Sequence, residues 1–132
     1  MRSTNQNRTG ATVVEFAIVS PLLFLLFFAA FEFCRVAMIR HTVDNAVYEG
    51  CRVGIIPGAT SGDAEAEART ILSSIGVEKA NVQVTPQQID NETESVTVQI
   101  AVPLDENSFV PNQFVTGRSI IRELTLQREG IR

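Results

Sequence analysis

An uninterrupted apolar segment near the N-terminus limits what this 132-residue chain can fold into. No charged side chain occurs between Phe16 and Phe31. As an α-helix, residues 11–33 would be about 34 Å long at 1.5 Å per residue. That length is sufficient to cross a hydrocarbon core of about 30 Å. The sequence therefore predicts one membrane-spanning helix, and the remaining residues are enough for one modest domain.

A carboxylate, Glu15, lies one turn inside the N-terminal edge of this segment. A carboxylate at the centre of a membrane helix costs about 2.5–3.5 kcal/mol on insertion scales, so its default interpretation is functional. The alternative is that Glu15 lies at the level of the lipid headgroups and has no role. The segment by itself leaves both interpretations open.

The residues around Glu15 resemble a type IV prepilin processing site of the short-leader Flp/Tad type. Gly10 is followed by Ala11, and Glu15 is then the fifth residue of the chain that would remain after cleavage. Phe16 stands where a Tyr is usual, so the ring is kept and the hydroxyl is absent. The resemblance implies that a prepilin peptidase cuts between Gly10 and Ala11, and that Glu15 and Phe16 act in subunit assembly.

Further matches along the same stretch resemble TadE-like pilus assembly proteins. In that family a Pro is expected in the membrane segment, Glu-Phe-Gly-Arg at its exit and Ala-x-Glu-Gly-Ala-Arg one helix-length later. Cys34 and Cys51 replace the usual Gly and Ala. The resemblance covers roughly residues 8–54. Its remaining motif positions are Pro21, Glu32, Arg35, Glu49, Gly50 and Arg52.

The resemblance implies a minor pilin-like (pseudopilin) component of a Tad/Flp-type pilus or tight-adherence secretion system, acting in pilus initiation or assembly. Its expected partners are the prepilin peptidase, other pilin-like subunits, the inner-membrane Tad assembly platform and the lipid bilayer. We expect a single pass through the bacterial inner membrane, with the N-terminus in the cytoplasm and the head outside. The alternative is an uncleaved single-pass anchor that carries an extracytoplasmic binding or adhesion domain.

The expected organisation is a leader at residues 1–10, a transmembrane segment at 11–33, an amphipathic helix continuation at 34–54 and an extracytoplasmic head at 55–132. Apolar residues recur at three- and four-residue spacing from Ile39 to Val53. This spacing predicts that one helix continues from about Thr12 to Val53. Gly54 and Pro57-Gly58 then end the helix.

The head is predicted to be α+β, with the long N-terminal helix packed on a small three-stranded antiparallel sheet and one short extra helix. Acidic residues from Asp63 favour the start of that helix, and Gly76 closes it. Residues 95–102 alternate with period two and form the clearest strand, whose even-numbered face should pack on the long helix. The other elements are a strand at 82–84, a turn at 90–92, a loop at 104–117 and a strand at 119–127.

Composition argues against several function classes. The formal charge of −4 and the absence of a basic stripe argue against a nucleic-acid partner. His41 is the only His, and with Asp44 it fits a solvated helix pair better than catalysis. Asp63, Glu65 and Glu67 fit a helix face better than a calcium site. We therefore expect no enzyme activity, cofactor or small-molecule substrate.

The two Cys residues and Pro21 carry narrower inferences. On one continuous helix Cys34 and Cys51 would be about 25 Å apart, too far for a disulfide between them. They are then either buried small residues, or Cys51 pairs with another molecule.

Pro21 frees the carbonyl of Ala17 and predicts a kink. Structural tolerance and a role in leaving the bilayer both remain open for this Pro.

Overall fold

A computed structural model describes residues 6–107 and 117–128, with side chains described from residue 10 onward. The chain divides into two compact units, Met1–Arg35 and Val36–Arg132, which are treated separately below. The α+β prediction is confirmed: the structure has one long helix, one short helix and a three-stranded antiparallel sheet. The elements are α1 (Gln6–Gly54), α2 (Ser61–Ser73), β1 (Asn81–Thr85), β2 (Ser95–Pro103), a 3-10 turn at Asp105–Asn107, and β3 (Ser119–Gln127).

Helix α1 is longer than the sequence predicted at its N-terminal end. It begins at Gln6 instead of near Thr12, because the polar residues before Gly10 also have helical geometry. Its C-terminal end is at Gly54, as predicted. The chain then turns at Gly58, whose φ of 86° lies in the left-handed region that only Gly enters without strain.

Helix α2 begins two residues before the predicted start at Asp63. Thr60 is the N-cap, and its hydroxyl accepts a 3.2 Å hydrogen bond from the backbone N–H of Asp63. The carboxylate of Asp63 accepts a 2.9 Å bond from the backbone N–H of Thr60 in return. This reciprocal capping box places Ser61 and Gly62 in the first helical turn, before the predicted start of the helix. Closure at Gly76 is confirmed by its φ of 73°.

The sheet has the order β1-β2-β3, with both pairs antiparallel. Central strand β2 alternates between buried and half-buried residues, as its period-two sequence predicted. The turn between β1 and β2 is confirmed, with the N–H of Glu92 donating to the carboxylate of Asp90 at 3.0 Å. Most of the predicted loop at 104–117 lies outside the described residues.

The core of the second unit lies between the sheet and the two helices. The apolar stripe of α1 packs on the predicted face of β2, so that expectation is confirmed. A Cβ built on Gly50 would lie 3.2 Å from the carbonyl oxygen of Ala64 and 3.6 Å from Val98, so α1 approaches both α2 and β2 closely. Burying each large apolar side chain contributes about 1.5–3 kcal/mol. The fully buried large side chains are Ile39, Val43, Cys51, Leu72, Val96, Val98, Ile100 and Val102.

Arg128 ties together three segments at one end of this unit. Its guanidinium donates to the backbone carbonyls of Ile55 at 3.2 Å, Ile56 at 3.3 Å and Asp90 at 2.5 Å. Its own N–H donates to the carbonyl of Glu94 at 2.8 Å, which extends the β2–β3 pairing. One side chain thus satisfies carbonyls after the end of α1 and in the turn before β2.

Candidate functional site

The N-terminal unit exposes a continuous apolar surface along α1. Phe16, Leu26 and Phe33 are 71%, 68% and 72% exposed, and the large apolar residues between them are also exposed. Within the described residues, one helix is long and apolar enough to cross a membrane. An exposed apolar surface of this extent indicates a region that lipid or another protein covers.

The Gly10–Ala11 junction lies inside α1, four residues after the start of the helix. Both residues are exposed, and a Cβ built on Gly10 would meet nothing within 4 Å. Packing in this structure therefore does not require Gly at position 10. A Gly in a helix interior costs about 1 kcal/mol relative to Ala, so this turn is easier to unwind than its neighbours.

Glu15 lies one helical turn after Ala11. Residues four apart on a helix share a face, so the carboxylate of Glu15 can reach toward the backbone nitrogen of Ala11. Glu15 and Phe16 are both exposed, with apolar neighbours before and after them. The geometry therefore gives a carboxylate beside the junction, on an otherwise apolar helix surface.

The motif positions Pro21, Glu32 and Arg35 also lie on α1. The helix continues through Pro21, and the predicted kink stays a prediction. Glu32 and Arg35 are only 8% and 6% exposed, although they are charged and lie one turn apart. Their sequence pattern marked them only as motif positions and gave no signal of their burial.

The motif positions of the second unit have structural roles that the geometry makes clear. Arg52 Nε lies 2.8 Å from Glu49 Oε2, an ion pair between residues three apart on one helix. Because the Arg52 side chain is 62% exposed, such a pair contributes only about 0.3–0.5 kcal/mol. Gly50 between them is buried and permits the close contact with Ala64.

The two thiols are both free but differ in environment. Cys51 is buried, and its Sγ donates to the carbonyl of Leu124 at 3.1 Å. Burial raises the pKa of the Cys51 thiol, and hydrogen bonds with the backbone of Val98 and Leu126 offset part of that rise. The expectation of a buried small residue holds for Cys51, whose burial disfavours pairing with another molecule. It does not hold for Cys34, which is exposed.

Three of the titratable residues considered for catalysis or metal binding, Asp44, Asp63 and Glu65, make contacts within the fold. Asp44 forms a 2.7 Å ion pair with Arg122 of β3, a contact that the sequence analysis missed in favour of a pair with His41. Glu65 pairs with Arg69 at 2.8 Å. Hydrogen bonds from the N-cap residue lower the pKa of Asp63. Within the described part of the chain, no group of three His, Cys, Asp or Glu residues could hold a metal ion.

The candidate residues follow one another along α1 and do not converge on a cleft. Together with the fold, this arrangement defines a class of protein: a chain whose described residues include one candidate membrane-spanning helix and a small α+β domain. Residues 10–52 match the model of the TadE-like protein family, which confirms the resemblance predicted from the sequence. The match spans every motif position from Gly10 to Arg52 and about a third of the chain. No curated protein and no solved structure gave a significant match.

Proposed function

We propose that this protein is a minor pilin-like component of a Tad/Flp-type pilus or tight-adherence secretion system, acting in pilus initiation or assembly. The family match over residues 10–52 supports this proposal. The observation that carries it is the position of Glu15, one turn after the Gly10–Ala11 junction on a helix whose surface is otherwise apolar and exposed. An assembly role requires no catalytic residues.

Maturation is the first step of the proposed mechanism. A prepilin peptidase cleaves after Gly10, removes residues 1–10 and leaves a free amine on Ala11. Because the junction is helical in the full chain, the turn around Gly10 must unwind before a peptidase can reach the bond. The low helix propensity of Gly favours this opening.

Assembly then depends on the charge of Glu15. The new ammonium group of Ala11 carries a positive charge into a low-dielectric region, where an unpaired charge costs several kcal/mol. The carboxylate of Glu15, from the same or a neighbouring subunit, neutralises it one helical turn away. When the carboxylate belongs to a neighbouring subunit, an axial shift would leave both charges unpaired, so the pair fixes the axial register between the two helices.

In this proposal residues 11–33 span the bacterial inner membrane, residues 34–54 continue the helix and residues 55–132 form a head on the extracytoplasmic side. The N-terminus is cytoplasmic. The partners are the peptidase, other pilin-like subunits and the inner-membrane Tad assembly platform. Close packing at Gly50 supports this arrangement of helix and head, because it holds the end of α1 against the head.

A second candidate is an uncleaved single-pass anchor with an extracytoplasmic binding or adhesion domain. One observation favours it: α1 runs without interruption from Gln6 through the junction, and a helical bond is a poor protease substrate until it unwinds. In this case Glu15 has no assembly role and lies at the headgroup level.

Replacing Glu15 by Gln distinguishes the two candidates. The Glu15→Gln substitution keeps size and helix propensity and removes the charge, so membrane insertion should be unharmed and cleavage should largely persist. Incorporation should fall at least about tenfold, because leaving one buried charge unpaired costs more than 1.4 kcal/mol. Pilus yield and crosslinking to other pilin-like subunits are measured in a strain that lacks the native copy.

Glu94→Gln is the matched control, because the Glu94 side chain is exposed in the head unit. It should leave both pilus yield and crosslinking unchanged. Normal pili with Glu15→Gln would remove the register role and favour the uncleaved anchor.

A further inference from the structure

Strand β1 lies at an edge of the sheet, and its hydrogen-bonding pattern shows which backbone groups point outward. The N–H of Leu104 donates to the carbonyl of Arg118, and that of Arg128 to the carbonyl of Glu94. These directly opposed pairs mean that the even-numbered residues of β2 bond to β3, so its odd-numbered residues bond to β1. The N–H and C=O groups of Val82 and Val84 therefore point away from β2.

An open groove of about 510 Å³ lies along this edge. It is lined by residues of β1 and by residues from the first two turns of α2. No hydrogen bond to the outward groups of Val82 or Val84 is found within the described residues. The hydroxyl of Ser61 donates to the carbonyl of Gln87 at 2.5 Å and closes one end of the groove. The lining residues are Ser61, Glu65, Val82, Gln83, Val84, Thr85 and Gln87.

The chemistry of the groove matches an extended peptide. A strand edge beside a helix offers alternating donors and acceptors, which an added strand satisfies through its own backbone. In antiparallel addition, the partner residues opposite Val82 and Val84 point their side chains to the inner face, toward α2. Glu65 is the only charged residue among those lining the groove. Arg69 occupies one of its oxygens at 2.8 Å, and the Glu65 side chain is 42% exposed.

We propose that the groove between β1 and α2 binds an extended segment of a partner protein by strand addition, with a basic side chain of that segment facing Glu65. Charge complementarity favours a basic partner over a second copy of this chain, whose net charge is −4. The binding site lies in the head and does not depend on maturation at Gly10. Its failure and the failure of the proposed pilus role are therefore separate results.

The test measures amide exchange of the full chain in detergent micelles, with the peptide acetyl-Thr-Lys-Thr-Val-Thr-amide. Without peptide, the amides of Val82 and Val84 should exchange quickly, while those of Gln83 and Thr85 are protected by β2. The peptide should slow exchange at Val82 and Val84. N-methylation of its second or fourth residue should weaken binding at least about tenfold, while N-methylation of the third residue, whose N–H points outward, should have little effect.

A pair of protein variants tests the charge. Glu65→Gln should weaken binding of the Lys peptide about two- to fivefold, within the range of exposed ion pairs. Glu67→Gln is the control, because Glu67 is on the same helix but not in the groove, and should change nothing. Absence of protection at millimolar peptide, or equal effects of all three N-methylations, would overturn the proposal. Protection of Val82 and Val84 without peptide would also overturn the proposal. If that protection depends on protein concentration, a second copy of this chain occupies the edge; if it does not, residues of the same chain do.

Discussion

Replacing Gly54 by Ala should destabilise the head because α1 leaves no room for a Cβ beside the sheet at this residue. A Cβ built on Gly54 would lie 2.9 Å from Cγ1 of Val96, which is fully buried on the central strand. Val has a stiff χ1, so the backbone of α1 or β2 must move. Such overpacking costs about 1–3 kcal/mol. Because the 2.9 Å contact is with a rigid, fully buried side chain, the upper part of that range applies, about 2–3 kcal/mol. Ala recovers at most about 1 kcal/mol of this through better helix propensity, so the net loss is about 1–2 kcal/mol.

Amide exchange of β2 in detergent micelles measures this effect, because its core amides open only when the head unfolds. The substitution Gly54→Ala should lower protection at Val98 and Ile100 by about 5- to 30-fold, since 1.4 kcal/mol corresponds to tenfold. Gly62→Ala is the matched control, because its Cβ would meet only the Thr60 hydroxyl at 3.6 Å. It should leave protection unchanged or raise it up to about fivefold. Full protection in Gly54→Ala would refute the inferred contact between α1 and the sheet.

Three further predictions concern the pKa of Asp63, the reactivity of Cys51 and the hydrogen bonds of Arg128. The hydrogen bonds that lower the pKa of Asp63 stabilise the head at pH values above the ordinary pKa of that carboxyl. This stability is lost as the pH falls through the lowered pKa. A midpoint at or above the ordinary 3.8 in an NMR titration would contradict the prediction. In a Cys34→Ser variant at pH 8, Cys51 should react with maleimide only after urea is added, because the thiol is buried and its pKa is raised; rapid labelling of the folded protein would contradict its burial. Arg128→Met should destabilise the head by about 1–3 kcal/mol in the exchange assay, because three carbonyls lose a charged donor, whereas the exposed Arg118→Met should have no effect.

Local patterns were sufficient to predict much of the fold. The bounds of β3, Ser119–Gln127, agree with the prediction, and β2 ends one residue later than predicted, at Pro103. In both strands, more buried and more exposed residues alternate, which is the pattern of a strand with one face on the core. The start of α2 was misplaced even though the signal was present, because Thr60 and Asp63 have capping-box spacing. That spacing by itself predicts a helix that starts at Ser61.

Contacts between distant residues could not be predicted from the sequence. Asp44 and Arg122 are 78 positions apart, and nothing local indicates that α1 and β3 bring them together. The burial of Glu32 likewise has no signature in its own neighbourhood. For the candidate site, spacing alone placed Glu15 one turn after Ala11. The structure added that α1 already begins at Gln6 and that Gly10 has open space around it.

The intact mass of the protein, purified after co-expression with its cognate prepilin peptidase, tests the central claim most directly. We predict loss of residues 1–10 and a chain that begins at Ala11. Gly10→Ala should stay uncut, and because a Cβ fits at position 10 without contact, that result would reflect recognition by the peptidase and not a disturbed helix. A full-length mass beside an active peptidase, verified on another prepilin in the same cells, would contradict maturation and leave the uncleaved anchor as the function.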